Sequence, residues 1–385
     1  MKSPGYATLL LLALALSSSA QTLTPPDNGS DPNFTHDLMT FSEREGVEDG
    51  LGPTYNAQSC AECHAVPATG GSSQTTELRV GRSVHGVFVA PTINGIVGRS
   101  LVNDRAICPQ AQETVPAKQN VKTTRLSLNL LGDGLVEAVA DATFQDLAAK
   151  QKKQTNGQVR GEVVMVPVLE DPAQTLHVGR FGWKDQHASL QSFAADAYIN
   201  EMGITSPLEP SDFTSTCDTT SDPEDDGSDI TAFTAFMRGT QPVAPAASAG
   251  DVAAAGSQVF QKLGCAVCHV PSLTTAPAGT VINSNFTIPP QLGGQTFSPY
   301  GDFLLHDIGT GDGIVQNGPQ DTADKVRTAP LWGLRFRTRL MHDGLSVTVQ
   351  NAIERHDNEA QSARRAFDHL SQQQTQALLA FLGSL

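Results

Sequence analysis

Two five-residue stretches of this chain share one pattern, Cys60-Ala61-Glu62-Cys63-His64 and Cys265-Ala266-Val267-Cys268-His269. Two cysteines with two residues between them set a pair of sulfurs at the separation of the two vinyl groups of a porphyrin. The histidine that follows reaches beneath the ring and ligates its iron. Each stretch therefore predicts a covalently attached c-type haem, with His64 and His269 as the proximal metal ligands. Zinc and a thiol–disulfide redox pair compete for the same cysteines. A zinc site wants a second ligand pair at matching spacing, and a redox pair needs no histidine. Two copies, each with its histidine, favour haem. The sixth iron ligand then separates the functions. Two strong protein ligands make an electron carrier, whereas an exchangeable face can bind peroxide or dioxygen.

The chain has 385 residues, with 25 Lys and Arg against 40 Asp and Glu, a formal charge of −15. Such an acidic surface argues against nucleic acid or anionic lipid as a partner. Lys2, the apolar run Leu9–Leu16 and the small residues Ser18-Ser19-Ala20 read as a signal peptide, with Gln21 as the new N-terminus. The apolar run is shorter than the roughly 20 residues that span a bilayer. The expectation is a periplasmic or secreted protein with no membrane span after cleavage. Of six cysteines, Cys108 and Cys217 lie outside the haem motifs. In an oxidising compartment they are candidates for a disulfide that the sequence leaves open.

Length and motif placement suggest two domains. Val252, Ala255, Val259, Phe260 and Leu263 recur at helical spacing before the second motif, and Gly264 stops the pattern. Helices are also predicted over Asp229–Arg238 and Ser371–Leu385, one closing each half. A haem motif near the start and a packing helix at the end is the plan of a cytochrome c domain. The predicted fold is thus mainly α: a leader at 1–20, a cytochrome c-like domain at 21–240, a Pro/Ala-rich linker at 241–250 and a second cytochrome c-like domain at 251–385. The long first half implies an insertion, part of it a β-hairpin pairing 161–166 with 175–181. Helical spacing returns over Gln186–Met202. The acidic run Asp218–Asp229 invites calcium, although its spacing departs from the standard calcium loop and suits a solvated loop better.

A further set of stretches appears in order along the chain: GLGPTYNAQSCAECH (51–64), LLGDGLVEAV (130–139), GRFGWK (179–184), NEMGITSP (200–207), YGDFLLHDIG (300–309), RTAPLWGL (327–334), MHDG (341–344) and AIERHDNEAQSARRAF (352–367). With them the chain resembles the di-haem oxidoreductases, often labelled thiol oxidoreductases, relatives of the bacterial di-haem cytochrome c peroxidases. The resemblance implies two facing cytochrome c domains, one haem relaying electrons and the other meeting hydrogen peroxide. The electron donor would be a small cytochrome or copper protein. In the relatives the distal ligand of the second haem falls shortly after the HDG-type motif. His356 holds that place, with Met341 as the other candidate and a surface histidine as the plainer reading. His342 would hydrogen-bond a haem propionate or orient its loop. At the first haem Glu137 resembles the glutamate over the open face and would pass a proton, although a carboxylate at a helix start is the plainer reading. His85 is a candidate ligand of the resting state, and Trp183 a candidate electron relay between the haems, with Trp332 competing. His306 would support the second haem. His36, His177, His187 and His369 receive no role. Two rival functions stay open: an electron-transfer cytochrome without a catalytic site, and an oxidase or oxygenase of an organic or protein substrate.

Overall fold

Ten α-helices and several short sheets make up residues 24–247 and 250–385, which the computed structural model describes. The predicted leader and residues 248–249 of the predicted linker lie outside them. The helices are α1 Phe34–Ser42, α2 Cys60–Cys63, α3 Asp133–Glu137, α4 Asp141–Gln154, α5 Leu190–Ala197, α6 Ser228–Gly239, α7 Gly250–Leu263, α8 Val349–Glu354, α9 Gln361–Asp368 and α10 Gln372–Leu382. None among the described residues is long and apolar enough to cross a membrane.

The helices expected from periodicity form within a few residues of their expected ends. On α6, Ile230, Phe233, Phe236 and Met237 are buried, and the Asp225 carboxylate accepts hydrogen bonds from the N–H groups of Gly227, Asp229 and Ile230 at its start. α7 buries Phe260 and Leu263 and ends at Gly264, whose φ of 89° is open to glycine. α10 begins with a capping box between Ser371 and Gln374 and packs across α7, with the rings of Phe260 and Phe381 5.4 Å apart.

The expectation of a mainly α protein needs correcting: helix takes 31% of residues and strand 16%. The largest sheet was not foreseen. Its central strand β1 (Thr76–Val84) pairs antiparallel with β2 (Val87–Val89), β3 (Leu101–Val102) and β4 (Val121–Leu126). β1 alternates imperfectly and its longest partner lies some forty residues on, so local pattern carries little of the pairing. The expected hairpin is present but small, with β5 (Met165–Pro167) against β6 (Leu176–Val178). Cys108 and Cys217 form a disulfide.

Two large apolar cores lie beneath. One gathers Phe41, Phe144, Leu190, Phe233 and Phe236, together with Phe297, Phe303, Leu304 and Trp332 from beyond the predicted linker. The other is built by α7, α9 and α10 with Leu334 and Leu340.

Candidate functional site

Each Cys-x-x-Cys-His turn lies beside a large cavity. The second cavity, about 410 Å³, is bounded by Cys265, Cys268 and His269 on one side and by α8, α9 and α10 on others. His269 donates from Nδ1 to the Tyr300 carbonyl at 3.0 Å, and His356, just past α8, donates from Nδ1 to the Ala352 carbonyl at 2.7 Å. A carbonyl only accepts, so each Nδ1 carries the proton and each Nε2 keeps a free lone pair. The ring centres stand 6.4 Å apart. An imidazole nitrogen lies about 2 Å from a metal it ligates and its ring centre ~1 Å further, so two rings across one ion sit roughly 6 Å apart. Burial, and then His356, pull His269 down to about 4, and burial also lowers His356, so both rings are neutral donors.

His342 also faces this cavity, 2% exposed, with Nδ1 unpartnered. Arg327, Arg337, Arg339 and Arg364 line the same space, and Nε of Arg364 has no hydrogen-bond partner, while Nε of Arg327 makes no hydrogen bond and lies 4.0 Å from the Asp185 carboxylate. These orphaned donors fit a ligand carrying carboxylates. Met341 lines the cavity too, its sulfur accepting a long contact from the Ser346 hydroxyl at 3.5 Å. His306 is fully buried between Asp302 and Glu359, 2.9 Å from each. Burial alone would lower its pKa, but Asp302, and then Cys268, hold it well above the usual histidine range. As an imidazolium it has no lone pair for a metal, although its ring lies close to Cys268 and Asp302 in a metal-like cluster.

The first cavity, about 550 Å³, adjoins Cys60, Cys63 and His64. His64 Nδ1 faces the carbonyls of Leu128 at 2.8 Å and Gly71 at 3.2 Å, again leaving Nε2 free. Among the described residues no second histidine lines this cavity, although Met202 and Met237 do. Its walls carry charge instead. Glu77 is ion-paired to Arg79 at 2.7 Å, and Glu201 accepts from the Asn56 amide at 2.6 Å. The Glu77 and Glu201 carboxyls are neighbours in this wall, and each bears on the other's titration. Burial, and then Glu77, push Glu201 up to about 8, while Glu77 is held below its ordinary value against the cost of burial, chiefly by Arg79, so one proton between them resides on Glu201. This pair does not stand out in the sequence. Glu201 stands in the NEMGITSP stretch, which was the one available signal; Glu77 lies in an ordinary-looking strand.

The four motif thiols are unbridged, and burial raises each above the ordinary cysteine value, Cys60 and Cys265 to about 12. A redox-active pair or a zinc site favours thiolate; these pockets favour the neutral thiol.

Three expectations need correcting. Glu137 is fully buried but does not line the first cavity: its carboxylate takes two hydrogen bonds from Arg238, at 2.6 and 2.9 Å, and one from the Leu190 N–H at the start of α5. A buried carboxylate needs such partners, and here they tie α3, α5 and α6 together. His85 is exposed, at the first position of the two-residue turn between β1 and β2, with φ of 52°. Trp332 is packed against Phe297 in the first core and reaches neither cavity.

Trp183, by contrast, lines both cavities, as do Leu126, Ser127 and Leu128 on the segment running on from β4. Its indole N–H donates to the Leu126 carbonyl at 2.7 Å, and its ring stands edge-on to His342 at 6.0 Å. The acidic region considered for calcium brings Asp212, Asp222 and Glu224 together, but Glu224 is already engaged by Thr205 and Thr220.

No curated protein matches this chain. Among solved structures it is similar to hydrazine synthase of Kuenenia stuttgartiensis, pressurized with xenon, at 13% identity and a TM-score of 0.41, covering 100% of both chains. It is also similar to a MauG-like protein associated with microbial copper homeostasis, at 15% identity and a TM-score of 0.40, covering 95% of this chain and 93% of the other. A sequence model of the family described as "Di-haem oxidoreductase, putative peroxidase" matches residues 110–385. With that match over most of its length, the chain belongs to the di-haem oxidoreductase family.

Proposed function

We propose that the chain is an exported, peroxidase-like di-haem c-type oxidoreductase built on two cytochrome c-like domains, residues 21–240 and 251–385. Cys60 and Cys63 would hold one haem by thioether bonds and Cys265 and Cys268 the other, with His64 and His269 as proximal ligands. When bound, the two irons supply electron storage and transfer. One observation carries the reading: the second cavity sets two imidazoles 6.4 Å apart, whereas no second histidine of the described residues faces the first. A haem between His269 and His356 would be closed to small oxidants and suited to relay. The first cavity is lined instead by Glu77, Arg79 and Glu201.

Reduction of hydrogen peroxide to two waters takes two electrons and two protons. Glu201 holds a proton at its carboxyl, Asn56 fixes the other oxygen of that group, and Glu77 is positioned to take the proton back. Arg79 offers a fixed positive charge beside the oxygens being cleaved. His342 and the cavity arginines would hold the carboxylates of the second haem. Trp183, shared by both cavities, lies on the path from one haem to the other, and a small cytochrome or copper protein would supply electrons at the second.

The test is an absorption spectrum of the purified holoprotein, followed by reduction and peroxide addition. A high-spin signal from one haem and reoxidation faster than in a bis-histidine cytochrome are expected. Two low-spin haems, with Met202 or Met237 filling the sixth position, and slow reoxidation would make the protein an electron carrier instead.

A further inference from the structure

Lys184 follows Trp183 directly and is completely shut away from solvent. Its ammonium lies 3.0 Å from Asp312 Oδ1 and donates to the carbonyls of Thr322 at 3.0 Å, Ala323 at 2.9 Å and Lys325. All four acceptors belong to one loop, residues 310–325, which comes from the second half of the chain and lies on the first. Asp312 also accepts from Arg125 Nε at 2.7 Å, and Arg125 lines the first cavity next to Leu126, the residue that holds the Trp183 indole. A methionine would fill the same space without the desolvation of a charge. The charge is therefore spent on geometry: it gathers three carbonyls and a carboxylate at one point, where the Gly313 N–H alone reaches only the Ala323 carbonyl and Arg125 only the carboxylate.

We propose that Lys184 is a positioning residue, an internal cation that locks loop 310–325 onto the Trp183 segment and so fixes the indole in the gap between the cavities. The proposal rests on the reading that both cavities carry haem. The Trp183 ring has three further restraints: its N–H bond to Leu126, the Arg327 N–H on its own carbonyl at 3.0 Å, and the edge of His342. None of these reaches loop 310–325. Asn317 Nδ2 also donates to the Gln186 carbonyl at 3.1 Å, and Gln320 pairs with the Phe88 backbone, so without the ammonium the loop would stay tethered there while the carbonyls of Thr322 and Lys325 turned to water and the stretch beside Lys184 loosened.

The experiment uses the holoprotein and the variants Lys184→Met and Asp312→Asn. A pyridine haemochrome assay first counts covalent haem; fewer than two in the unaltered protein would refute the di-haem reading and the proposal with it. With two haems present, electron equilibration between them is timed after rapid photoreduction, and hydrogen–deuterium exchange is read over residues 310–325. Both variants are expected to slow equilibration on the order of tenfold, as a displaced bridging group would, with each haem's absorption unchanged and exchange in the loop raised. Variants that merely melt at a lower temperature, with rate and exchange as in the unaltered protein, would overturn the proposal and leave the di-haem reading standing.

Discussion

His356 is the residue on which the asymmetry of the two cavities turns. Replacing it with methionine keeps a ligand of similar reach but exchanges imidazole for thioether, which raises haem potentials. We predict that His356→Met raises the midpoint potential of one haem and leaves the other in place, read by spectroelectrochemical titration; no change at either haem would remove His356 from the iron. Glu201 makes a prediction of a different kind. In the folded chain it keeps its proton up to about pH 8, against an ordinary value of 4.5. Between those values the folded chain binds a proton that the unfolded chain has lost, so this residue makes stability fall as pH rises through the window. Glu201→Gln should flatten that part of a melting-temperature profile and slow peroxide turnover about a hundredfold or more, as loss of a general acid does. A variant with wild-type turnover would clear Glu201 of the role. At this scale the sequence showed what has fixed spacing. The haem motifs and His356 sit in recognisable strings, whereas Glu77, on β1, and Glu201, in the helical turn Tyr198–Met202 that continues α5, come together only in the fold, and Glu137, in the more suggestive string, is drawn into an ion pair with Arg238.

Helices α7 and α10 carry much of the second cavity's wall, through Phe260, Leu263, Leu378 and Leu382. Their crossing depends on Gly256, where an added Cβ would come within 2.0 Å of the Ala377 carbonyl oxygen, a backbone atom that cannot swing aside. We predict that Gly256→Ala forces the helices apart at a cost of about 1–3 kcal/mol and perturbs the absorption of the His269 haem before that of the His64 haem. Calorimetry and the two haem bands check this; an unchanged melting temperature would show that the crossing adjusts freely. The same helices were among the most readable parts of the chain, because a buried stripe at 3.6-residue spacing is a local property. The sheet around β1 was not readable, since two of its strands are only two or three residues long and its main pairing joins 76–81 to 121–126. The disulfide likewise depended on an approach across more than a hundred residues that spacing does not encode.

Over the whole molecule, two haem motifs and two closing helices suggest two independent halves, and the packing departs from that picture. Phe303, numbered in the second half, is fully buried in the first half's core, edge-on to Phe144 at 6.2 Å. Leu304 and Phe297 join it there, and Lys184 and Arg125 reach back to Asp312. Contacts that cross the linker this deeply couple the unfolding of one half to that of the other. Truncating Phe303 removes a large ring from a filled site, so Phe303→Ala should cost about 3–5 kcal/mol. The loss should fall on both halves together, because the ring closes the first core while its backbone anchors the second chain segment. Denaturant titrations followed at the His64 haem, the His269 haem and tryptophan fluorescence should shift to one common lower midpoint. Separate midpoints, with the His64 haem holding its original value, would show two autonomous domains and would make the shared core a contact of convenience rather than the element that unites the molecule.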